Sequence, residues 1–114
     1  LFASHHKLNN LTIIVDFNKI QSFGNVEDVL NLEPLKSKMD SFGFECLDID
    51  GHNHKEISSS LKYAKSERVK PLVILANTIK GKGVSFMENQ LLWHYKSPDK
   101  KQYEQAIREI KSKS

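Results

Sequence analysis

Cysteine and long apolar runs are both scarce in this chain of 114 residues. Cys46 is the only cysteine, so an internal disulfide is excluded, and a reducing cytosol is the compartment that this usage fits. Its place in an apolar strand predicts a buried and inert thiol. The apolar runs reach about six residues, against the ~20 that a membrane-spanning helix requires. We therefore expect a cytoplasmic protein that makes no contact with a membrane.

Chain length and charge indicate which kind of protein this is. A chain of 114 residues can bury one modest core, and its 39% hydrophobic and 27% charged content is ordinary for a globular protein. The net charge is +3, and no aromatic residues interleave with a basic stripe, so nucleic-acid binding is not expected. The first residues lack the layout of a signal peptide and indicate the end of a helix, closed by Asn9 and Asn10. We therefore expect the chain to be a fragment.

Strand-like and helix-like segments alternate along the chain, which predicts parallel βαβ units. The predicted strands are 11–16, 44–49 and 71–77, and the predicted helices are 34–42, 53–67 and one that follows Asp99. Unbroken apolar character in the first strand predicts that both of its faces are buried. The fold class is therefore α/β, a parallel sheet with crossover helices, and we expect it to be the carboxy-terminal part of a larger sheet.

Helix ends and faces can also be predicted from the pattern. Gly43 is placed to end the first predicted helix, and capping-box spacing begins the other two, at Asn53–Glu56 and Asp99–Gln102. The apolar positions that should face the core are Leu35, Met39 and Phe42, then Ile57, Leu61 and Ala64, and finally Tyr103, Ala106, Ile107 and Ile110. Two stretches predict irregular structure, 22–26 and the long loop 78–98, and loops of the second length are usually functional or disordered.

Asn18 lies just past the carboxyl end of the first predicted strand, which is where open α/β sheets bind ligands. Its amide oxygen and the carbonyl of Ile20 are hard oxygen ligands that suit Mg²⁺ or Ca²⁺. An asparagine that hydrogen-bonds the backbone of its own turn is the alternative, and spacing alone favours that alternative.

Lys80 and His94 are the other candidates. The run 80–83, Lys-Gly-Lys-Gly, could place a cation and backbone N–H groups near phosphate, although its spacing is not that of a Walker motif and a basic surface turn is the alternative. His94, after Trp93, could bond phosphate oxygens or move protons near neutral pH, and a solvated loop histidine is the alternative. The remaining histidines lack cysteines or paired carboxylates at ligand spacing, so a zinc site is not expected.

Taken together, Val-Asp-Phe-Asn-Lys-Ile-Gln at 15–21, the run 80–89 and Trp-His at 93–94 resemble the transketolase family. The match is to the domain that binds the diphosphate of thiamine diphosphate, in the style of separately encoded N-terminal subunits. The resemblance implies that Asn18 and the Ile20 carbonyl hold Mg²⁺ (or Ca²⁺) and that Gln21 lines this site. It also implies that Lys80 approaches the cofactor diphosphate and that His94, the catalytic residue, contacts both the diphosphate and the sugar substrate.

Two departures from the family pattern qualify this resemblance. No Gly-Asp-Gly motif, which supplies a further metal ligand in the family, occurs in residues 1–114. Tyr95 stands where the family usually has glycine, which places substrate choice or activity in question. The chain is therefore expected to be a partial diphosphate-binding domain, inactive by itself, with the amino-terminal part missing.

The resemblance implies a transferase of carbohydrate metabolism, in the pentose phosphate pathway, that moves a two-carbon ketol unit between sugar phosphates. Its partner would be a pyrimidine-binding domain or a C-terminal transketolase subunit, within a homodimer or heterotetramer. Three alternatives stay open: an inactive remnant or partner-binding fragment, another thiamine-diphosphate enzyme such as a deoxyxylulose-phosphate synthase or a 2-oxoacid dehydrogenase component, and a generic basic binding module.

Overall fold

The computed structural model describes residues 1–112 of the chain. Residues 1–17 and 32–78 form one compact unit, and residues 18–31 together with residue 79 onward form a second. The elements of the described chain are α1 (Phe2–His5), β1 (Thr12–Phe17), β2 (Ile20–Gln21), β3 (Gly24–Asn25), α2 (Val26–Val29), α3 (Leu35–Ser41), β4 (Glu45–Asp50), α4 (His54–Ala64), β5 (Leu72–Asn77), a turn of 3₁₀ helix (Leu91–His94) and α5 (Lys100–Ser112). None of the described helices is long and apolar enough to cross a membrane.

The first unit is built on a parallel sheet with strand order β1-β5-β4. The central strand β5 pairs in register with both neighbours, so that Leu72 lies opposite Thr12 on one side and Glu45 on the other. The four residues 72–75 are at most 2% exposed, as an apolar strand covered on both faces should be. The predicted α/β fold with a parallel sheet is confirmed.

The strand β1 is an edge of this sheet, and the prediction that both of its faces are buried is wrong. Ile13 and Ile14 are 38% and 59% exposed. An apolar run shows that a strand can be buried, but neighbouring elements decide whether each face is covered. The strand also begins and ends one residue later than predicted, so Asn18 follows its last residue directly.

One face of the sheet packs against α3. The buried cluster on this face consists of Phe17, Leu35, Phe44, Cys46, Val73 and Leu75. Met39 packs against it, and Gly43, with φ of +88°, ends α3 as predicted. Phe42 remains 46% exposed, so the apolar face of α3 is one residue shorter than predicted.

The helix α4 begins where the capping pattern predicts. The Asn53 side chain accepts hydrogen bonds from the backbone N–H groups of Lys55 and Glu56. The predicted buried stripe is wrong in part, because Ser60 is buried whereas Leu61 is 42% exposed. The helix also ends three residues before the predicted end. Its partly covered face opens onto an apolar groove of about 210 Å³, lined by Ile14, Ile49, Gly51, Ile57, Ser60, Leu61, Ile74 and Ala76.

The short helix α1 ends at His5, and the prediction that Asn9 and Asn10 supply its left-handed residue is wrong. That conformation belongs to Lys7, with φ of +50°. Leu8 N–H donates to the carbonyl of Ala3 and Lys7 N–H to that of Ser4, which is the bonding pattern of a Schellman motif. The hydrogen-bond pattern therefore selects the position, and the asparagine preference for this conformation does not.

The second unit opens with a small antiparallel pair of strands. In it β2 and β3 pair Ile20 with Asn25 and Gln21 with Gly24, leaving Ser22 in the connecting turn. The helix α2 follows directly, and its Val26 N–H donates to the carbonyl of Lys19 at 2.8 Å. The prediction of an irregular loop at 22–26 is therefore wrong, because two-residue strands are too short to show a period of two.

The remainder of the second unit consists of the long loop and α5. The loop contains the 3₁₀ turn Leu91–His94, so the prediction of no regular structure over 78–98 is wrong. The capping box is confirmed: Gln102 N–H donates to Asp99 Oδ1 at 2.9 Å, and Asp99 N–H donates to Gln102 Oε1 at 3.0 Å. Of the predicted apolar stripe of α5, Ala106 is buried, whereas Tyr103 is 58% exposed.

Candidate functional site

All the residues predicted to hold a cofactor or metal belong to the second unit: Asn18, Ile20, Gln21, Lys80 and His94. The segment 18–25 places the first three, and the loop after β5 places the other two. The structure joins His94 to the turn that follows Gln21. Within the described residues, no hydrogen bond joins the side chain of Lys80 to Asn18 or to His94.

Asn18 forms a turn with its own backbone. Its Oδ1 accepts a hydrogen bond from Ile20 N–H at 3.0 Å, across Lys19, whose φ is +66°. This is the local turn that the sequence left open as an alternative to metal binding. An amide oxygen has two lone pairs, so the turn occupies one and leaves one for a cation. Metal binding by Asn18 stays a prediction, and the turn is compatible with it.

The chemistry of the donor set limits which cation fits here. Asn18 and the Ile20 carbonyl offer neutral, hard oxygens. Among the described residues, no group of three or more histidine, cysteine, aspartate or glutamate side chains is placed to hold a metal ion. Mg²⁺ is commonly bound by few protein groups together with phosphate oxygens and water. These two oxygens therefore fit a cation whose charge is balanced by a bound diphosphate.

The loop at Lys80 is closed by hydrogen bonds. Asn89 N–H donates to the carbonyl of Lys80 at 3.0 Å, and Gly83 N–H donates to Glu88 Oε1 at 2.9 Å. The sequence suggested that backbone N–H groups of the run 80–83 approach phosphate, and of these the Gly83 N–H is bonded to a carboxylate of its own loop. Gly81 has φ of +73°, and a β-carbon there would lie 2.6 Å from the carbonyl oxygen of Met87. Any residue with a β-carbon at position 81 would therefore have to displace the backbone of Met87.

His94 ends the 3₁₀ turn and is exposed. The neighbouring Trp93 anchors this turn, because its Nε1 donates to the carbonyl of Phe86 at 2.8 Å and its ring contacts that of Phe86 edge-on at 5.2 Å. The Nε2 atom of His94 lies 3.2 Å from Oγ of Ser22. A histidine on an anchored turn, with its ring open to solvent, can bond an oxygen of a bound molecule.

Sequence reasoning missed Ser22. Its Oγ reaches His94, and its carbonyl accepts a hydrogen bond from the hydroxyl of Tyr95. A serine in a two-residue turn carries no signal of a contact with a residue 72 positions away. The one available signal was Tyr95, since it departs from the glycine of the family pattern next to the catalytic candidate.

Comparison with known proteins adds an independent observation. Residues 1–112 match the model of the transketolase thiamine diphosphate-binding domain. The chain is 35% identical to a subunit of the apulose-4-phosphate transketolase of Phocaeicola vulgatus, over 95% of this chain and 38% of that protein. It is 40% identical to the 6-deoxy-6-sulfo-D-fructose transketolase subunit SqwG of a Clostridium species, over 96% of this chain and 40% of that protein.

A solved structure agrees with these matches. The transketolase of Campylobacter jejuni superposes with a TM-score of 0.82 at 34% identity, covering 98% of this chain and 17% of that enzyme. The chain thus spans about two-fifths of the subunits that it matches and a smaller share of the longer enzyme. Sequence motifs, domain match and fold agree, and the chain belongs to the transketolase family, matching its thiamine diphosphate-binding domain.

Proposed function

We propose that this chain is the diphosphate-binding part of a transketolase-like transferase that moves a two-carbon ketol unit between sugar phosphates. The observation that carries the proposal is the match of residues 1–112 to the thiamine diphosphate-binding domain. Relatives that cover nearly the whole chain are themselves transketolases or transketolase subunits, which supports a transferase. Because the chain spans only part of their length, we propose that it acts as part of a larger domain.

In this proposal the segment after β1 holds the cofactor's cation. Asn18 Oδ1 and the Ile20 carbonyl bind Mg²⁺, Gln21 lines the same place, and Lys80 balances the charge of the diphosphate. The hydrogen bond from Ile20 N–H to Asn18 supports this assignment, because it fixes the amide before any ligand binds. Thiamine diphosphate, when bound, supplies the carbanion chemistry.

His94 is the residue that we assign to the reacting molecules. Its imidazole bonds an oxygen of the diphosphate or of the sugar, and near neutral pH it can hold or release a proton at that oxygen. Its exposure on a turn anchored by Trp93 supports the assignment. No other histidine lies in the second unit.

The proposal includes a partner. Two relatives carry the word subunit in their names, which supports a second, separately encoded chain. We propose that this chain works with a pyrimidine-binding domain or C-terminal transketolase subunit, as a homodimer or heterotetramer in the cytoplasm. Because the chain spans about two-fifths of these relatives, we propose that turnover requires the assembly.

The test is calorimetric titration of thiamine diphosphate into the protein assembled with its partner, with and without Mg²⁺. We expect binding that depends on Mg²⁺ and that Asn18→Ala and His94→Ala weaken by about tenfold each, since each removes one bond to a charged group. Asn18→Asp is the matched control, because a carboxylate keeps the oxygen that accepts from Ile20 N–H and can still ligate the cation. His54→Ala, an exposed histidine of the first unit, controls for loss of any imidazole.

Absence of binding by the assembled wild type would refute the proposal. Binding without turnover would support the second candidate, an inactive subunit fragment that only binds a partner. That candidate is favoured by one departure from the family pattern, because Tyr95 follows His94 where the family usually has glycine. Turnover of a ketose phosphate by the wild type would exclude it.

A further inference from the structure

We propose that Ser22 and Tyr95 are positioning residues that set the orientation of His94. The inference rests on the proposed function, because His94 is the residue assigned there to the diphosphate and the sugar. The contacts that support it all lie inside the second unit. Neither residue belongs to the set that sequence reasoning placed in the site.

Ser22 contacts the histidine directly. It lies in the turn between β2 and β3, where the backbone is held by the pairing of Gln21 with Gly24. From there its Oγ lies 3.2 Å from Nε2 of His94. An exposed imidazole at the end of a turn can rotate about two side-chain bonds, and a hydrogen bond to one ring nitrogen restricts both rotations. Nδ1 is then the nitrogen left for an oxygen of a bound molecule.

Tyr95, the residue after His94, also contacts the turn between β2 and β3. Its hydroxyl donates to the carbonyl of Ser22, 73 residues away in the sequence. Its ring meets the His94 ring at 84° with centroids 4.9 Å apart. The backbone of Ser22 is thus held by Tyr95, while its side chain holds the residue that precedes Tyr95. Two consecutive loop residues therefore bond one turn residue, by two different groups.

The Ser22–His94 bond and the Tyr95–Ser22 bond can be removed separately, each by its own substitution. Removing the Ser22 hydroxyl breaks the bond to His94 and leaves the bond from Tyr95 to the Ser22 carbonyl. Removing the Tyr95 hydroxyl frees the turn and acts on His94 only through Ser22. The two substitutions should consequently be non-additive, with Tyr95→Phe adding little once Ser22 is alanine.

The first test is the ¹⁵N NMR spectrum of the histidine side chains in the protein assembled with its partner. We expect the Nε2 resonance of His94 to move in Ser22→Ala, to return towards the wild-type position in Ser22→Thr and to move less in Tyr95→Phe. Tyr103→Phe is the matched control, because that tyrosine is exposed on α5 in the same unit. An Nε2 resonance that is unchanged in Ser22→Ala overturns the inference.

The second test is kinetic, with a ketose phosphate donor and an aldose phosphate acceptor. We expect Ser22→Ala to lower kcat/KM by about tenfold, as the loss of one orienting hydrogen bond should, and to weaken thiamine diphosphate binding by less than His94→Ala does, because the imidazole is still present. Ser22→Thr should restore most of the loss. An unchanged kcat/KM in a variant whose Nε2 resonance has moved overturns the positioning role.

The two tests distinguish this inference from the proposed function. If the wild type binds no thiamine diphosphate, the proposed function fails, and the NMR comparison still decides whether Ser22 holds His94. If the wild type binds the cofactor and turns over substrate, only the inference is at stake. If thermal unfolding shows that Ser22→Ala folds poorly, Tyr95→Phe still tests whether the position of the β2–β3 turn affects the Nε2 resonance of His94.

Discussion

The Nη2 atom of Arg68 lies 2.8 Å from the carbonyl oxygen of Asn9, which is 59 residues earlier in the chain. The same nitrogen is 3.3 Å from Oγ1 of Thr12 and 3.4 Å from the carbonyl of Leu11. Arg68 is 7% exposed, so these bonds are shielded from water. A single guanidinium therefore joins the segment before β5 to the start of β1, its neighbour in the sheet.

Replacing Arg68 with alanine should destabilise the first unit. We expect the free energy of unfolding to fall by about 2–3 kcal/mol, the cost of losing shielded hydrogen bonds from a charged group. The fall is limited because Nε and Nη1 of this buried residue have no hydrogen-bond partner among residues 1–112, and the substitution removes those two unpaired donors as well. Urea unfolding monitored by circular dichroism provides the measurement. Lys70→Ala, at an exposed site two residues away, should change it by less than about 0.5 kcal/mol, and equal losses in both variants would contradict the role of Arg68.

Gly81 and Gly83 provide a matched pair in the Lys80 loop. Both have positive φ, +73° and +97°, but a β-carbon at 81 would meet Met87 at 2.6 Å, whereas one at 83 would meet nothing within 4 Å. Each alanine substitution should cost roughly 1 kcal/mol of backbone strain. Gly81→Ala should cost about 1–3 kcal/mol more, because the Met87 backbone must move.

The same pair of variants should differ in cofactor affinity if the proposed function is right. Displacing the Met87 backbone disturbs the turn that holds Lys80, so we expect Gly81→Ala to weaken thiamine diphosphate binding more than Gly83→Ala does. Thermal unfolding and calorimetry of both variants provide the two comparisons. Equal affinities, together with the expected difference in stability, would remove Lys80 from the proposed site.

Helix α5 depends on its reciprocal cap. Asp99→Ala removes the acceptor for Gln102 N–H and should destabilise the helix by about 1 kcal/mol. Amide hydrogen exchange in the first turn of α5 should accelerate as a result. Glu104→Ala, an exposed change farther along the same helix, should leave that exchange nearly unchanged. Protection that survives in Asp99→Ala would show that tertiary packing, through Ala106, holds the helix end.

The buried thiol predicts how stability responds to alkaline pH. Burial raises the pKa of Cys46 above its usual value, and the nearby carboxylate of Asp40 acts in the same direction. The unfolded chain then loses this proton at a lower pH than the folded chain does, so stability should fall as pH rises above about 8.5. Urea unfolding from about pH 7 to 9.5 should show a shallower decline for Cys46→Ala than for the wild type. Parallel declines would show that the thiol has the same pKa in both states.

The sheet was predictable because its determinants are local. The run 71–77 is apolar at every position but the last, and only a central strand of a parallel sheet buries such a run on both faces. The helix caps at Asn53 and Asp99 could also be predicted, because each depends only on a side chain and a backbone N–H three residues later in the sequence. The place of Asn18 followed from the end of β1 for the same reason.

What could not be predicted depends on distant neighbours. Whether Ile14 is covered depends on what lies over an edge strand, and the hydrophobic pattern of β1 contains no information about that. The contact of Ser22 with His94 requires the register of the β2–β3 turn and the course of a loop 72 residues later. For Asn18 the spacing favoured a hydrogen bond to the backbone of its own turn, which the structure shows with Ile20, but it did not name the partner.

The unpaired edge of β1 should make refolding of the chain depend on protein concentration. In the described sheet this strand has a paired neighbour on one side, and Ile13 and Ile14 are exposed beside its free edge. Two copies brought together can continue the sheet by pairing these edges, a step whose rate grows with the square of concentration whereas folding does not. Recovery of native protein from denaturant should therefore improve with dilution, and a partner that occupies the edge should protect it in the same way.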